Sequence, residues 1–207
     1  IAAACARSGR DAAAVTLIAV TKSQGPEVLP ALRAAGVRDF GENRIDHLQS
    51  MLSHAEPGDR WHYIGRVQGR QLPQIAPVAT ALHSLCDPGH IDRLARICAE
   101  RGLRLPVYLQ VNTSGEAAKA GLPPDAAVEA AGRIRACTGL DLIGLMTMAP
   151  ELGEVADAGA VRACFAAVRT LAVRTGVQGL SMGMSGDYQI AVEEGATAVR
   201  VGSILFA

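Results

Sequence analysis

Lys22 stands directly after the aliphatic run Leu17-Ile18-Ala19-Val20, where a strand would end and its last side chains would face the mouth of the structure the strand helps build. An ammonium is costly to bury. A desolvated lysine has a lowered pKa, and its free amine can form a Schiff base with a carbonyl compound. Near the other end of the chain, Ser181-Met182-Gly183-Met184-Ser185-Gly186 and Gly202-Ser203 have the composition of anion-binding loops. Glycine lets backbone N–H groups approach a phosphate, and the hydroxyls add donors. Ser185 is also placed to cap a helix running from about Asp187, aiming the helix's positive end at the same spot. Arg200 lies within Ala198-Val199-Arg200-Val201-Gly202, where alternation sets it on the face opposite Val199 and Val201. If the valines pack against helices, the arginine points inward, where its charge requires a partner. Gly41-Glu42-Asn43 and His62-Tyr63-Ile64-Gly65 complete the candidate positions, His62 reading first as a hydrogen-bonded core histidine and second as a site residue.

Other chemistries find no support. The segment Thr21-Lys22-Ser23-Gln24-Gly25 after the first aliphatic run has no G-x-G-x-x-G pattern, and neither a Walker A sequence nor His-Glu-x-x-His occurs. Gly183-Met184-Ser185-Gly186-Asp187 resembles a nucleophile elbow but ends in Asp, and the last histidine, His90, precedes the serine, against the chain order of that hydrolase class. Among 207 residues, 20 Lys plus Arg balance 20 Asp plus Glu, so no net positive field exists to attract nucleic acid or anionic lipid. Only 3% of residues are aromatic, which predicts an aliphatic core and no stacking platform for single strands. No apolar run approaches the roughly 18 residues of a membrane helix, and no segment resembles a signal peptide, so a soluble cytoplasmic protein is expected. Cys5, Cys86, Cys98, Cys137 and Cys164 form no Cys-x-x-Cys pair and read as reduced small hydrophobes, neither a disulfide framework nor a zinc site. The start at Ile1 without Met and the stop five residues after Gly202 lead us to expect trimmed ends.

The elements that would position these residues are short aliphatic strands alternating with Ala-rich helical stretches, the pattern of repeated βα units around a parallel sheet. Eight strands are expected, at residues 15–20, 38–40, 62–65, 81–85, 106–111, 141–147, 179–182 and 198–201. The helices between them are well punctuated. Asp87 is a plausible N-cap with Pro88 at the first helical position, Leu94, Ile97 and Cys98 make an apolar face, and Gly102 ends the helix. Residues 26–35 end at Gly36 in the same way, and residues 155–175 at Gly176. Seven helices fit between eight strands, and residues 2–8 could pack against the gap left after the last strand. A closed (β/α)8 barrel is therefore expected, as one domain over residues 1–207 with a short N-terminal helix; the length lies near the lower limit of about 200 residues for that fold. In such a barrel the active site lies at the C-terminal ends of the strands, and phosphate binds after strands seven and eight.

Together these residues resemble a family. Ala19-Val20-Thr21-Lys22, Phe40-Gly41-Glu42-Asn43, Trp61-His62-Tyr63-Ile64-Gly65, Gln110-Val111-Asn112, Gly144-Leu145-Met146, Leu180-Ser181-Met182-Gly183-Met184-Ser185 and Val199-Arg200-Val201-Gly202-Ser203 are similar, in order, to motifs of the pyridoxal phosphate homeostasis proteins, single-domain relatives of the alanine racemase barrel. The resemblance implies that Lys22 bears pyridoxal 5'-phosphate as an internal aldimine. It implies that Ser185, Gly202 and Ser203 hold the phosphate, that Arg200 faces the pyridine nitrogen, and that Asn43, Met184, His62 and Asn112 line the ring. An arginine there keeps the nitrogen unprotonated and weakens the cofactor as an electron sink. Asn112-Thr113-Ser114-Gly115-Glu116 with Lys119 and Gly121 fits the family's loop after the fifth strand. The family's Asn-Lys or similar basic pair after the third strand is replaced here by Gly69-Arg70-Gln71 following Gln68.

The function so implied is a monomeric holder of pyridoxal phosphate that buffers it, or delivers it to apo-enzymes, without robust turnover. An amino-acid racemase using Lys22 as one base is the alternative. Racemases of this barrel type draw their second base from another domain, for which 207 residues leave no room, and only Tyr63, Tyr108 and Tyr188 offer a replacement. A Schiff-base aldolase of sugar phosphates is disfavoured, because such enzymes carry their lysine late in the barrel and Leu142-Ile143-Gly144-Leu145-Met146-Thr147-Met148 has none.

Overall fold

The structure is a computed structural model and describes residues 1–116, 119–153 and 157–207. Its eight strands are β1 (Thr16–Val20), β2 (Asp39–Glu42), β3 (Arg60–Tyr63), β4 (Ala81–Leu85), β5 (Leu105–Gln110), β6 (Leu140–Met146), β7 (Gly179–Ser181) and β8 (Ala198–Val201). All are parallel and close in sequence order into one barrel, with Leu17 opposite Val199 and Ile18 opposite Arg200 where β8 returns to β1. The expected strands are thus all present, their ends displaced by one or two residues.

Around them run α2 (Leu29–Ala34, led by a 3-10 turn at Pro26–Val28), α3 (Ile45–Leu52), α4 (Leu72–Ile75), α5 (Pro88–Glu100), α6 (Pro124–Arg135), α7 (Ala158–Thr175) and α8 (Tyr188–Glu193). Local chemistry sets their ends. The Asp87 carboxylate accepts from the His90 N–H ahead of Pro88, Asp157 does the same for Ala160, and Gly176 takes the left-handed conformation (φ +64°) that closes α7. The expected start of α7 at Val155 lies outside the described residues. After β8 the described residues form a 3-10 turn at Ser203–Leu205, and the gap in the helical ring is met by α1 (Ala2–Arg7), whose Arg7 donates to Glu193 (2.8 Å) and Gln189 (3.2 Å) on α8.

Two environments follow from strand alternation. Outward-facing Ala19, Phe40, Leu82, Val107, Leu145, Leu180, Val199 and Val201 join the helices in one aliphatic core. The barrel interior is polar instead, holding buried Asp39, His62, His83, Ser181 and Arg200 beside Tyr108. Glycine makes room there: a Cβ on Gly144 would stand 2.3 Å from the Gly179 oxygen and 2.6 Å from Tyr108 Cε1. No helix among the described residues is long and apolar enough to cross a membrane.

Candidate functional site

A cavity of about 490 Å³ opens at the C-terminal end of the barrel. It is bounded by the turns that leave β1, β2, β3, β6, β7 and β8, in the volume range of small-molecule sites. Seven of the expected residues meet on its wall: Lys22, Asn43, Met184, Ser185, Arg200, Gly202 and Ser203. Arg66 and Met148 line it as well, two residues outside the expected set; each lies just past a strand's C-terminal end, which is their signal in the sequence. Among the described residues the wall carries three cationic side chains, Lys22, Arg66 and Arg200, and no carboxylate.

The turn bearing Lys22 is tied down behind the site. The Thr21 hydroxyl donates to the fully buried Glu42 carboxylate, whose other oxygen lies 2.7 Å from His47 Nδ1, while His47 Nε2 is 3.1 Å from the Gln24 carbonyl. Thr21 N–H donates to Gly41 O and Gln24 N–H to Thr21 O, so the backbone on both sides of the lysine is held. Lys22 itself is exposed, contrary to the desolvated environment expected of it: at the lip of an open cavity its side chain meets solvent.

Arg200 is the reverse, a cation with 4% exposure inside the barrel. It makes no ion pair among the described residues. Nη1 donates to Ser181 Oγ (2.6 Å) and Nη2 to the Thr147 carbonyl (3.0 Å), two of the five N–H bonds of the guanidinium. Burial pulls its pKa down to about 10, against the attraction of Asp187 and Tyr108. The group stays charged at neutral pH and keeps N–H bonds free to meet an acceptor in the cavity.

The two loops after β7 and β8 are joined to each other. Ser185 Oγ accepts from the Gly202 N–H (3.2 Å), so it does not cap α8 as the sequence suggested; that N-cap is Asp187, whose carboxylate accepts from Met184 N–H at 2.6 Å. Burial raises the Asp187 pKa, opposed by this hydrogen bond and by Arg200. Gly183 has φ +94° and packs so closely that a Cβ would lie 2.6 Å from Ala191 Cβ, and a Cβ on Gly202 would come within 3.2 Å of the Val20 oxygen. Ser203 stands at the rim of the same cavity with its hydroxyl exposed.

His62 and Asn112 lie elsewhere. His62 is buried deeper in the barrel between Asp39 and His83. The Asn112 amide donates to the carbonyls of Glu116 (2.8 Å) and Lys119 (3.1 Å), and its oxygen accepts from Ser114, so it shapes the loop after β5. Neither reaches the cavity wall. Among the described residues no group of His, Cys, Asp and Glu is arranged to hold a metal.

A lysine after β1, an inward arginine on β8 and paired loops after β7 and β8 can be compared with known proteins. Residues 3–207 match the family described as alanine racemase, N-terminal domain. A pyridoxal phosphate homeostasis protein of Pseudomonas aeruginosa is 40% identical over 210 aligned residues, spanning 96% of this chain and 86% of the relative. The solved structure of PipY from Synechococcus elongatus with pyridoxal phosphate bound is 32% identical, covers 99% of this chain and 98% of its own, and superposes with a TM-score of 0.86. Alanine racemase of Clostridium difficile shares the fold (TM-score 0.80) at 12% identity, this chain spanning 52% of its length. With near-complete coverage by relatives at this identity, and with the same barrel beneath, the chain belongs to the pyridoxal phosphate homeostasis protein family, within the wider family of alanine racemase N-terminal domains.

Proposed function

We propose that this barrel, acting as a single domain and as a monomer in the cytoplasm, binds pyridoxal 5'-phosphate and takes part in its homeostasis. The observation that carries the reading is the cavity wall: among the described residues, three cations without a carboxylate, one of them a primary amine, beside two loops that bring Ser185 and Ser203 to the same cavity. The donor set fits a phosphorylated aromatic aldehyde. Ser185, Gly202 and Ser203 would hold the phosphate, Arg200 would offer an N–H to the ring nitrogen, and Asn43 and Met184 would flank the ring. Lys22 would carry the group covalently through a Schiff-base linkage. When bound, the cofactor supplies an aldehyde that condenses reversibly with primary amines.

Arg200 stays a donor at neutral pH and so leaves the ring nitrogen as acceptor, which limits how far negative charge is drawn into the ring. Among the described residues the wall holds no carboxylate, histidine, tyrosine or cysteine that could serve as a second proton-transfer group opposite Lys22; Tyr63 and Tyr108 are buried away from it and Tyr188 does not line it. This supports a holder that buffers the cofactor or passes it to apo-enzymes over a two-base racemase.

The test is direct. Purified protein mixed with pyridoxal phosphate should absorb in the visible, and borohydride should fix the cofactor's mass to the peptide containing Lys22, with no fixation in Lys22→Ala. Protein that remains colourless after reconstitution overturns the reading. Catalytic exchange of solvent deuterium into the α-carbon of L-amino acids would replace the holder with the racemase.

A further inference from the structure

The buried polar groups of the barrel interior form one continuous chain from its N-terminal end to the cavity. Arg200 Nη1 donates to Ser181 Oγ at 2.6 Å, and Ser181 Oγ lies 2.8 Å from His83 Nδ1. His83 Nε2 is 2.9 Å from His62 Nδ1, and His62 Nε2 is 2.9 Å from the Asp39 carboxylate, which Arg60 also engages. The Ser181–His83 link crosses the barrel from β7 to β4, and all five residues are buried.

Proton accounting gives the chain a direction. Ser181 Oγ already accepts from Arg200, and its single hydrogen finds an acceptor in His83 Nδ1. His83 is then neutral with its proton on Nε2, which donates to His62 Nδ1; His62 is neutral in the same tautomer and donates to Asp39. Every hydrogen along the chain then has an acceptor, and Asp39 Oδ1 accepts from Arg60 Nε (2.7 Å) as well as from His62. The reverse assignment charges His62 on both nitrogens and turns His83 Nδ1–H toward Ser181, whose hydrogen then has no acceptor among the described residues. Burial, together with the nearby Arg200 charge, holds the His83 pKa well below the usual range. Burial opposes ionisation of Asp39, but the hydrogen bonds from His62 and Arg60 outweigh it and keep the carboxylate charged. His83 is clamped in the ring plane this requires by stacking on Tyr108 (centroids 4.3 Å apart, planes at 25°).

We propose that Ser181, His83, His62 and Asp39 are positioning residues that fix the orientation of Arg200 and connect its charge to a carboxylate at the far end of the barrel through two neutral Nε2–H histidines. The aligned N–H and O–H dipoles all point from Arg200 toward Asp39, which supplies the compensation that a buried cation without an adjacent carboxylate needs. This gives His62 a defined role behind the cavity wall. The significance for cofactor binding rests on the function proposed above, whereas the chain itself does not.

Nitrogen-15 NMR of the cofactor-free protein at neutral pH reads the tautomers directly. His62 and His83 should both be neutral with the proton on Nε2, and Ser181→Ala, which removes the acceptor of Arg200 Nη1 and the donor to His83, should change the His83 signals and weaken pyridoxal phosphate retention about tenfold. An Nδ1–H tautomer at His83, or a charged His62, in the unmodified protein overturns the relay even if Ser181→Ala fails to fold. Unchanged retention in a folded Ser181→Ala protein overturns its positioning role. Correct tautomers in a protein that takes up no pyridoxal phosphate would leave the relay standing and remove the functional reading instead.

Discussion

His83 is fully buried, and the barrel holds it neutral far below the pH at which a solvated imidazole charges. Lowering the pH therefore places a proton on the unfolded chain that the folded chain refuses. Because the folded value lies below the ordinary 6.5, the unfolded state binds more protons in this window, and stability falls as pH drops below about 6.5. Once the unfolded side chain is protonated, each pH unit removes at most about 1.4 kcal/mol, so moving from pH 7 to pH 5 removes up to about 2 kcal/mol from this residue alone. Asp39 and Asp59 act in a lower window: burial resists their ionisation, yet their arginine and histidine partners hold both below the ordinary 3.8. Their stabilisation is present above that value and lost as pH falls through the folded one, outside the range where His83 acts. Urea unfolding of the cofactor-free protein at pH 7, 6 and 5, followed by circular dichroism, reads the loss. His83→Gln has no such proton to refuse, so whatever its stability at pH 7, its decline to pH 5 should be smaller, by up to about 2 kcal/mol. Equal declines in the two proteins would refute a neutral buried His83.

Gly144→Ala should lower stability by about 2 to 4 kcal/mol or prevent soluble expression, because a Cβ there meets backbone and the Tyr108 ring at under 3 Å; thermal unfolding checks it. Asp87→Ala, which removes the acceptor for His90 N–H at the start of α5, should cost about 1 kcal/mol in urea unfolding and leave pyridoxal phosphate uptake unchanged. Ser203→Ala should weaken cofactor retention in equilibrium dialysis by roughly 1 to 3 kcal/mol if the hydroxyl donates to the phosphate. Ser185→Ala should weaken it too, since that hydroxyl also tethers Gly202, and unchanged retention in both variants would mean the phosphate lies elsewhere.

The barrel was legible because its strands announce themselves twice, by aliphatic runs and by the glycines and capping aspartates between them. Even the substitution of α1 for a helix after β8 could be read, since residues 2–8 had helical composition and nowhere else to pack. The ends of β2 and β3 are less clear: Gly41-Glu42 looks like a turn, and its carboxylate is compatible with a strand only because Thr21, at the end of β1, and His47, on the following helix, satisfy it. The cavity wall was readable where a residue followed a strand directly, as with Lys22 and Ser203. His62 was not, because whether a strand histidine faces the mouth or the floor depends on strand tilt and register, and its partners Asp39 and His83 come from two other strands. Ser185 looked like a helix cap for the same kind of reason: its actual partner, Gly202 N–H, belongs to a different loop.

The closure of β8 on β1 has a consequence for how binding competence arises during synthesis. Lys22 leaves the first strand, whereas Met184, Ser185, Arg200, Gly202 and Ser203 all follow residue 180, and the clasp between Arg7 and Glu193 joins positions 186 residues apart. A growing chain lacks one whole side of the cavity until β7 and β8 emerge, and these contacts of very long sequence separation are the slowest kind to form. The amine of Lys22 therefore waits for the loops after β7 and β8, and the complete cavity arises in one step, when the ring shuts.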